Sequence, residues 1–251
     1  MYLTEWTSPI GTPVSFTPIR DVAMRLVARG GWPVDPDLAA RIERHWQGEL
    51  ARNPSLWNGR VLGTVAPGLP GGVRIEDGVF RADAVEFSFA THLAWRAWGY
   101  PDIGIRNVFG SAVIESADGA LLFGLMGDWT SNPGRIYPPG GSLEPRDVAA
   151  DGTVDLIGSI ALELAEETGL AVGDAEVVET IAVFDGPRIS VAQRLRFAES
   201  AEALVARIRA DLVRQAHREL EDVVVVRGVA DLDPARVPAY ALAIAGRVLG
   251  G

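Results

Sequence analysis

Cysteine and lysine are both absent from this 251-residue chain. Without cysteine there is no disulfide, no thiol nucleophile and no cysteine zinc site, and such a chain suits a reducing compartment. All 23 basic residues are therefore arginine, which removes Schiff-base chemistry and the P-loop lysine together. Histidine is scarce. His45, His92 and His217 are scattered, with no metal-ligand pair and no nucleophile signature. Positive charge is also short: the formal net charge is −10. That argues against binding a nucleic acid polymer, which needs a basic surface, but not against a free nucleotide arriving with its own Mg²⁺. No apolar run approaches the roughly 18 residues of a membrane span, so no membrane contact is expected. Met1–Ile10 lacks a basic segment followed by an apolar run, so no signal peptide is expected and a cytoplasmic location is.

What the chain does have is a glycine turn, Pro139-Gly-Gly-Ser-Leu-Glu144, ahead of Glu163-Leu-Ala-Glu-Glu-Thr-Gly-Leu170. On a helix, positions i, i+3 and i+4 are neighbours, so Glu163, Glu166 and Glu167 crowd onto one face. Their repulsion destabilises a bare helix, and near its C-terminus they meet the end of the dipole that favours cations. A divalent cation removes both problems, and three hard oxygen donors suit Mg²⁺ or Mn²⁺ better than Zn²⁺. Gly169 supplies the left-handed residue that ends the helix. The plain alternative is an acidic, solvated helix face.

These residues resemble the Nudix hydrolases, whose box reads G-x5-E-x7-R-E-U-x-E-E-x-G-U, with U aliphatic. Glu163, Leu164, Glu166, Glu167, Gly169 and Leu170 match its second half, and Gly140-Gly141 with Glu144 its first. The resemblance implies an α/β/α sandwich, a Mg²⁺ cofactor (Mn²⁺ as substitute) and hydrolysis of a diphosphate linked to another moiety. Two departures stand out. Glu163 follows Gly141 by 22 positions where the family has fifteen, so seven residues are extra, and Pro145–Thr153 reads as the loop that holds them. The box arginine is Leu162. The box's first glutamate is Val154 counted back from the helix and Asp147 counted forward from Gly141. Replacing a charged pair by two apolar residues can be close to neutral, which makes the Val154/Leu162 pairing coherent.

Along the chain, Thr17–Arg29 has Ile19, Val22, Leu26 and Val27 at helical spacing and is expected as a helix. Asp35 or Asp37 caps a second helix running to about Leu50, with Leu38, Ile42, Trp46 and Leu50 as its stripe. Arg60–Glu86 reads as short strands broken at Pro67–Gly72 and Asp77-Gly78, and Phe87–Trp98 as an amphipathic helix. Asn107–Glu115 and Ala120–Met126 form a hairpin, Arg135–Pro138 is a short strand, and Asp155 caps the box helix through Thr168. Gly158 is read as a close-packing position in that helix. Strands follow at Ala175–Phe184, Ser190–Phe197 and Val223–Val226, with helices at Ala201–Leu220 and Pro234–Val248. The expected class is α/β (α+β): a Nudix-type sandwich on a mixed sheet, residues 105–251, behind an N-terminal extension of helices and short strands, residues 1–104.

The expected function is Mg²⁺-dependent cleavage of a nucleoside diphosphate linked to another moiety. A sugar nucleotide is the first choice, because the interrupted box and Trp57-Asn58-Gly59 are similar to a UDP-sugar-hydrolysing branch. Coenzyme A or dinucleotide substrates stay open, as does a non-catalytic nucleotide-binding or regulatory protein on the same fold, for which Leu162 is the main support. The expected metal ligands are Glu163, Glu166 and Glu167, with Glu163 and Glu167 as catalytic residues. Arg135, Gly140, Gly141 and Trp129 are the expected substrate contacts, Arg135 as a phosphate clamp and Trp129 as a base-stacking platform. The other tryptophans read as packing residues. Glu219, Glu221 and Asp222 are candidates for an additional acid, and a homodimer stays open.

Overall fold

The first strands of the chain are where propensity and tertiary pairing disagree. In the computed structural model, which describes residues 4–7, 13–30 and 34–250, the segment expected as a helix over Thr17–Arg29 is two strands. β1 (Thr4–Thr7) pairs antiparallel with β2 (Pro13–Ile19), and β3 (Asp21–Gly30) follows after a bend at Arg20. Val14, Phe16, Thr17 and Ile19 are buried along β2, a β-type set of side chains. The bend at Arg20 passes the chain from the edge of β10 to that of β6, so apolar residues on two different strands imitate a helical stripe. Trp32 and the side chain of Trp6 lie outside the described residues, as does most of Met1–Ile10.

α1 (Pro36–Arg52) is capped by Asp35, whose carboxylate accepts from Leu38 N. Its stripe of Leu38, Ile42, Trp46 and Leu50 packs on α2 (Phe89–Ala97). Between them lie β4 (Arg60–Val65), β5 (Arg74–Glu76) and β6 (Val79–Ser88). β7 (Ile105–Glu115) and β8 (Leu121–Met126) pair antiparallel, and β9 (Ile136–Tyr137) adds to β8. The box helix is α3 (Leu156–Thr168). Then come β10 (Ala175–Asp185), β11 (Arg188–Phe197), α4 (Ala201–Leu212), β12 (Leu220–Val226) and α5 (Ala239–Leu249).

Two helices are shorter than the sequence suggests. α4 stops at Leu212, because residues beyond it bond to other elements: Gln215 Nε2 donates to Glu166 O at 2.8 Å, and Arg218 O accepts from the Trp129 indole. α5 begins only after Pro238, since the residue before a proline is pushed out of helical geometry; the preceding turn instead lends Arg236 O to Ile136 N on β9.

The main sheet runs β1-β2-β10-β11-β7-β4-β6-β3, with β8 branching from β7 and carrying β9 and β12. β11–β7 and β3–β6 are parallel and the other pairs antiparallel, so the sheet is mixed and curls back on itself. One core cluster unites Val14, Phe16, Met24 and Phe80 with Leu121, Ile160, Leu164, Val191 and Leu242. The sheet and helices form the α/β arrangement expected.

The extra residues of the box make a 3₁₀ turn at Pro145–Asp147 and a mostly exposed loop after it. That loop docks on β3: Leu26 N donates to Gly152 O, and Val154 N donates to Met24 O.

Candidate functional site

α3 is seated first by its ends and then by its apolar face. Asp155 Oδ1 accepts from Gly158 N at 2.8 Å. A Cβ on Gly158 would lie 2.2 Å from that carboxylate, so this glycine makes room for the cap and not for a neighbouring element. Gly169 closes the helix at φ 67°. Leu156, Ile160 and Leu164 are buried, and Ile160 presses so close on β7 that a Cβ at Gly110 would sit 2.5 Å from its Cγ1. With the stripe held this way, Glu163 and Glu167 face the glycine turn.

That turn needs both of its glycines. A Cβ at Gly140 would fall 2.2 Å from Gly110 O, and one at Gly141 would fall 2.6 Å from Glu163 Oε1. Gly140 N donates to Glu167 Oε2 at 3.0 Å. Glu167 is 2% exposed, and its other oxygen, Oε1, is buried with no hydrogen-bond partner. Burial, then the charge of Glu163, holds Glu167 well above the ordinary glutamate pKa. Burial, then the charge of Glu219, pushes Glu163 up to about 7, although Arg146 pulls the other way. Glu166 is exposed on the same face.

Arg146 lies among these carboxylates, and sequence reasoning missed it. Its guanidinium is 3.0 Å from Glu163 Oε1, 3.4 Å from Glu166 and 3.6 Å from Glu144. The 3₁₀ turn that presents it is braced by Asp147, whose Oδ2 accepts from Glu144 N at 2.7 Å. Of the two positions for the box's first glutamate, Asp147 is thus the one whose carboxylate supports the turn. Val154 is buried under β3. Leu162, in place of the box arginine, is 37% exposed. The available signal was Arg146 as the one cation in Gly140–Asp155, opposite a helix of glutamates.

Among the described residues, no three His, Cys, Asp or Glu side chains are gathered as they would be around a metal ion. The donor set is nonetheless chemically suited to one. It is all carboxylate oxygen, burial first and neighbouring carboxylates second raise two of its pKa values, and it includes the partnerless Oε1 of Glu167. Such a set fits a hard divalent cation.

A cavity of about 800 Å³ opens over the cluster. Glu163, Glu166 and Glu219 line it together with Gly140, Gly141 and Arg146. Trp129 is on its wall, 38% exposed, with the Arg218 guanidinium 5.6 Å from its ring centre. Trp57, passed over as a stacking residue, lines the same cavity at 72% exposed. Each ring rests on a glycine, Gly59 under Trp57 and Gly127 under Trp129. Of the late acids, Glu219 faces the cluster, whereas Glu221 pairs with Arg218 and Asp222 with Arg209. Arg135 is not in this cavity. It lines a second one of about 870 Å³ on the other side of the Gly140-Gly141 ridge. His92 is buried among Phe87, Phe89 and Trp95.

No protein-family model and no curated protein matches the chain. Similar solved structures include the MutT protein of Methanosarcina mazei Go1, at 18% identity over 57% of this chain and 92% of that one, with a TM-score of 0.38. RenU, a Nudix hydrolase of M. smegmatis, is 16% identical over 57% of this chain and 81% of its own, with a TM-score of 0.35. The NUDIX domain of Shewanella oneidensis NrtR, complexed with ADP ribose, is 17% identical over 48% of this chain and 72% of its own, with a TM-score of 0.30. The solved structures that this chain is similar to thus include Nudix hydrolases.

Proposed function

We propose that this protein is a divalent-metal-dependent pyrophosphohydrolase of the Nudix type, acting on a nucleoside diphosphate linked to another moiety, with a sugar nucleotide as the first choice. The observation that carries the reading is the seating of two buried glutamates, Glu163 and Glu167, against a glycine turn, with Glu163 and the turn lining an open cavity. Glu163, Glu166 and Glu167 would hold Mg²⁺ or Mn²⁺, which when bound neutralises diphosphate charge and activates water.

The chain's own residues do the rest. Gly141 leaves the Glu163 carboxylate uncovered by a side chain, and Gly140 lets the turn lie against β7. Glu167 is fixed by the Gly140 amide and has a free oxygen, so it can take the proton of the attacking water. Water adds to one phosphorus, the bridging P–O bond breaks, and the products are a nucleoside monophosphate and a phosphorylated partner. Trp57 and Trp129 offer flat faces to the base. Arg146 neutralises the cluster in this structure and is placed to move onto a substrate phosphate as carboxylates engage elsewhere.

The test is release of nucleoside monophosphate from a panel of sugar nucleotides, dinucleotides and coenzyme A with Mg²⁺ or Mn²⁺. Glu163→Gln should lower turnover by about 10²–10⁴-fold, the range for a lost acid–base group. No turnover by the wild type on any member of the panel would leave a nucleotide-binding protein, recognised by a substrate-dependent rise in melting temperature.

A further inference from the structure

The second cavity has the opposite charge to the rest of the chain. Three arginines line it, Arg96, Arg135 and Arg188, against a single acid, Asp185. The protein as a whole carries −10. Arg188 is accounted for, since it pairs with Asp185 and lies over the Tyr240 ring. The other two are not. Arg96 donates only to neutral acceptors, Asn132 Oδ1 at 2.7 Å and Ser131 O at 3.0 Å. Arg135 donates to Ala235 O at 2.9 Å. Among the described residues no carboxylate forms an ion pair with either.

Arg96 also pays for its position. Burial first, and Arg135 in smaller measure, weaken its hold on its proton, and the pull of Tyr100, Tyr137 and the more distant Glu49 only partly offsets them. Two like charges in a partly desolvated cavity destabilise the free protein unless an anion joins them. The walls around them are aromatic, with Phe109, Tyr100 and Tyr240. The cavity shares Tyr137, Asn132, Gly140 and Gly141 with the one above the glutamates, so a single ligand can cross the ridge between them.

We infer that the second cavity is a subsite for a further anionic group of the substrate, a carboxylate or a phosphate monoester separate from the scissile diphosphate, received by Arg96 and Arg135. This deepens the hydrolase reading and rests on it for the word substrate, but not for the binding. Arg96 comes from α2 and Arg135 from the approach to β9, so residues 1–104 supply half of the receptor. The role of a clamp on the scissile phosphate, expected from the sequence, does not suit Arg135, which lines the cavity across the ridge from Glu163.

Two ligand pairs differ mainly by one such anion. UDP-glucuronate exceeds UDP-glucose by a carboxylate, and coenzyme A exceeds dephospho-coenzyme A by a phosphate. The shared diphosphate cancels within each pair. Calorimetry on the metal-free wild type should show about tenfold or greater preference for the more anionic member of one pair, the lower range for charge-assisted hydrogen bonds. Which pair responds distinguishes carboxylate from phosphate. Arg135→Gln, at an exposed position, should bring that preference to within about twofold, and Arg96→Gln should do the same if it folds. In turnover the same variants should raise KM for the preferred substrate with kcat unchanged. Preference without turnover that both variants abolish would keep the subsite and sink the hydrolase. No preference in either pair, including no binding at all, or a preference that Arg135→Gln leaves intact, overturns the subsite.

Discussion

Glu167 shows how much one side chain can be asked to hold. Its carboxylate is buried, takes one backbone hydrogen bond and leaves an oxygen without a partner. Such a group is costly to fold around, so its replacement by the neutral isostere should not weaken the metal-free protein. We expect Glu167→Gln to melt within about 1 kcal/mol of the wild type, or above it, while its Mn²⁺ affinity by calorimetry falls at least about tenfold. Equal Mn²⁺ binding by the two proteins would remove Glu167 from the ligand set. His92, on the wall of the second cavity, is a buried base rather than a buried acid. It is 6% exposed, and burial, helped by Arg96, lowers its pKa to about 3. In the unfolded chain it protonates near 6.5, so between those values the unfolded state holds the extra proton. The stability it contributes is therefore complete above pH 6.5 and drains away as pH falls toward 3, at a limiting slope of about 1.4 kcal/mol per pH unit. In His92→Phe the acid limb of a melting-temperature profile over pH 4–6.5 should be visibly flatter. An unchanged slope would mean His92 titrates normally.

At the scale of elements, α3 and the glycine turn are each defined by local rules that can be broken singly. Asp155→Ala removes the side-chain cap and should cost about 1 kcal/mol, a fall in melting temperature of about 2–4 °C for a chain of this size. Gly140→Ala is a different kind of lesion. The added Cβ meets backbone, Gly110 O on β7, which cannot swing aside. Its cost should be about 1–3 kcal/mol, and it should impair turnover beyond that loss because the Gly140 amide positions Glu167. Thermal melts and kcat/KM on the two variants separate the lesions: Asp155→Ala should lose stability and keep most of its activity, whereas Gly140→Ala should lose both. Comparable activity in both would mean that the turn is scaffold alone.

Over the whole molecule, the sheet ignores the boundary at which the family resemblance begins. β2 fills the edge of β10, β4 extends the pairing of β7, and Phe16, Met24 and Phe80 sit in the same core as α3 and β8. We therefore expect residues 1–104 and 105–251 to fold as one unit. Residues 105–251 expressed alone should show no cooperative melt, since they lose several core side chains worth about 2–5 kcal/mol each and expose unpaired strand edges. The full chain should unfold in a single calorimetric transition. A cooperative melt of 105–251 alone would make the first 104 residues an appendage.

Local chemistry made much of this legible in sequence. Asp155 before the box helix, Gly169 after it and the paired glycines ahead of it are short-range signals, and each is where it was expected. So are the stripe of α1 and the hairpin of β7 and β8. The same local rules failed at Thr17–Arg29, where strand pairing with β10 and β6 outweighs a helical spacing, and past Leu212, where Gln215 and Arg218 bond to α3 and Trp129 and so end α4 early. Arg146 left a signal in the sequence, as a lone cation facing a helix of glutamates, but Trp57 beside Trp129 and Arg96 beside Arg135 were beyond reach for one reason. Each of these two pairings joins residues far apart in the chain, and only closure of the sheet decides which side chains share a cavity. The glutamate cluster was set by helical periodicity; the charge that faces it, and the second cavity across the ridge, were set by tertiary packing, because periodicity acts over one turn and electrostatics over whatever the fold brings near.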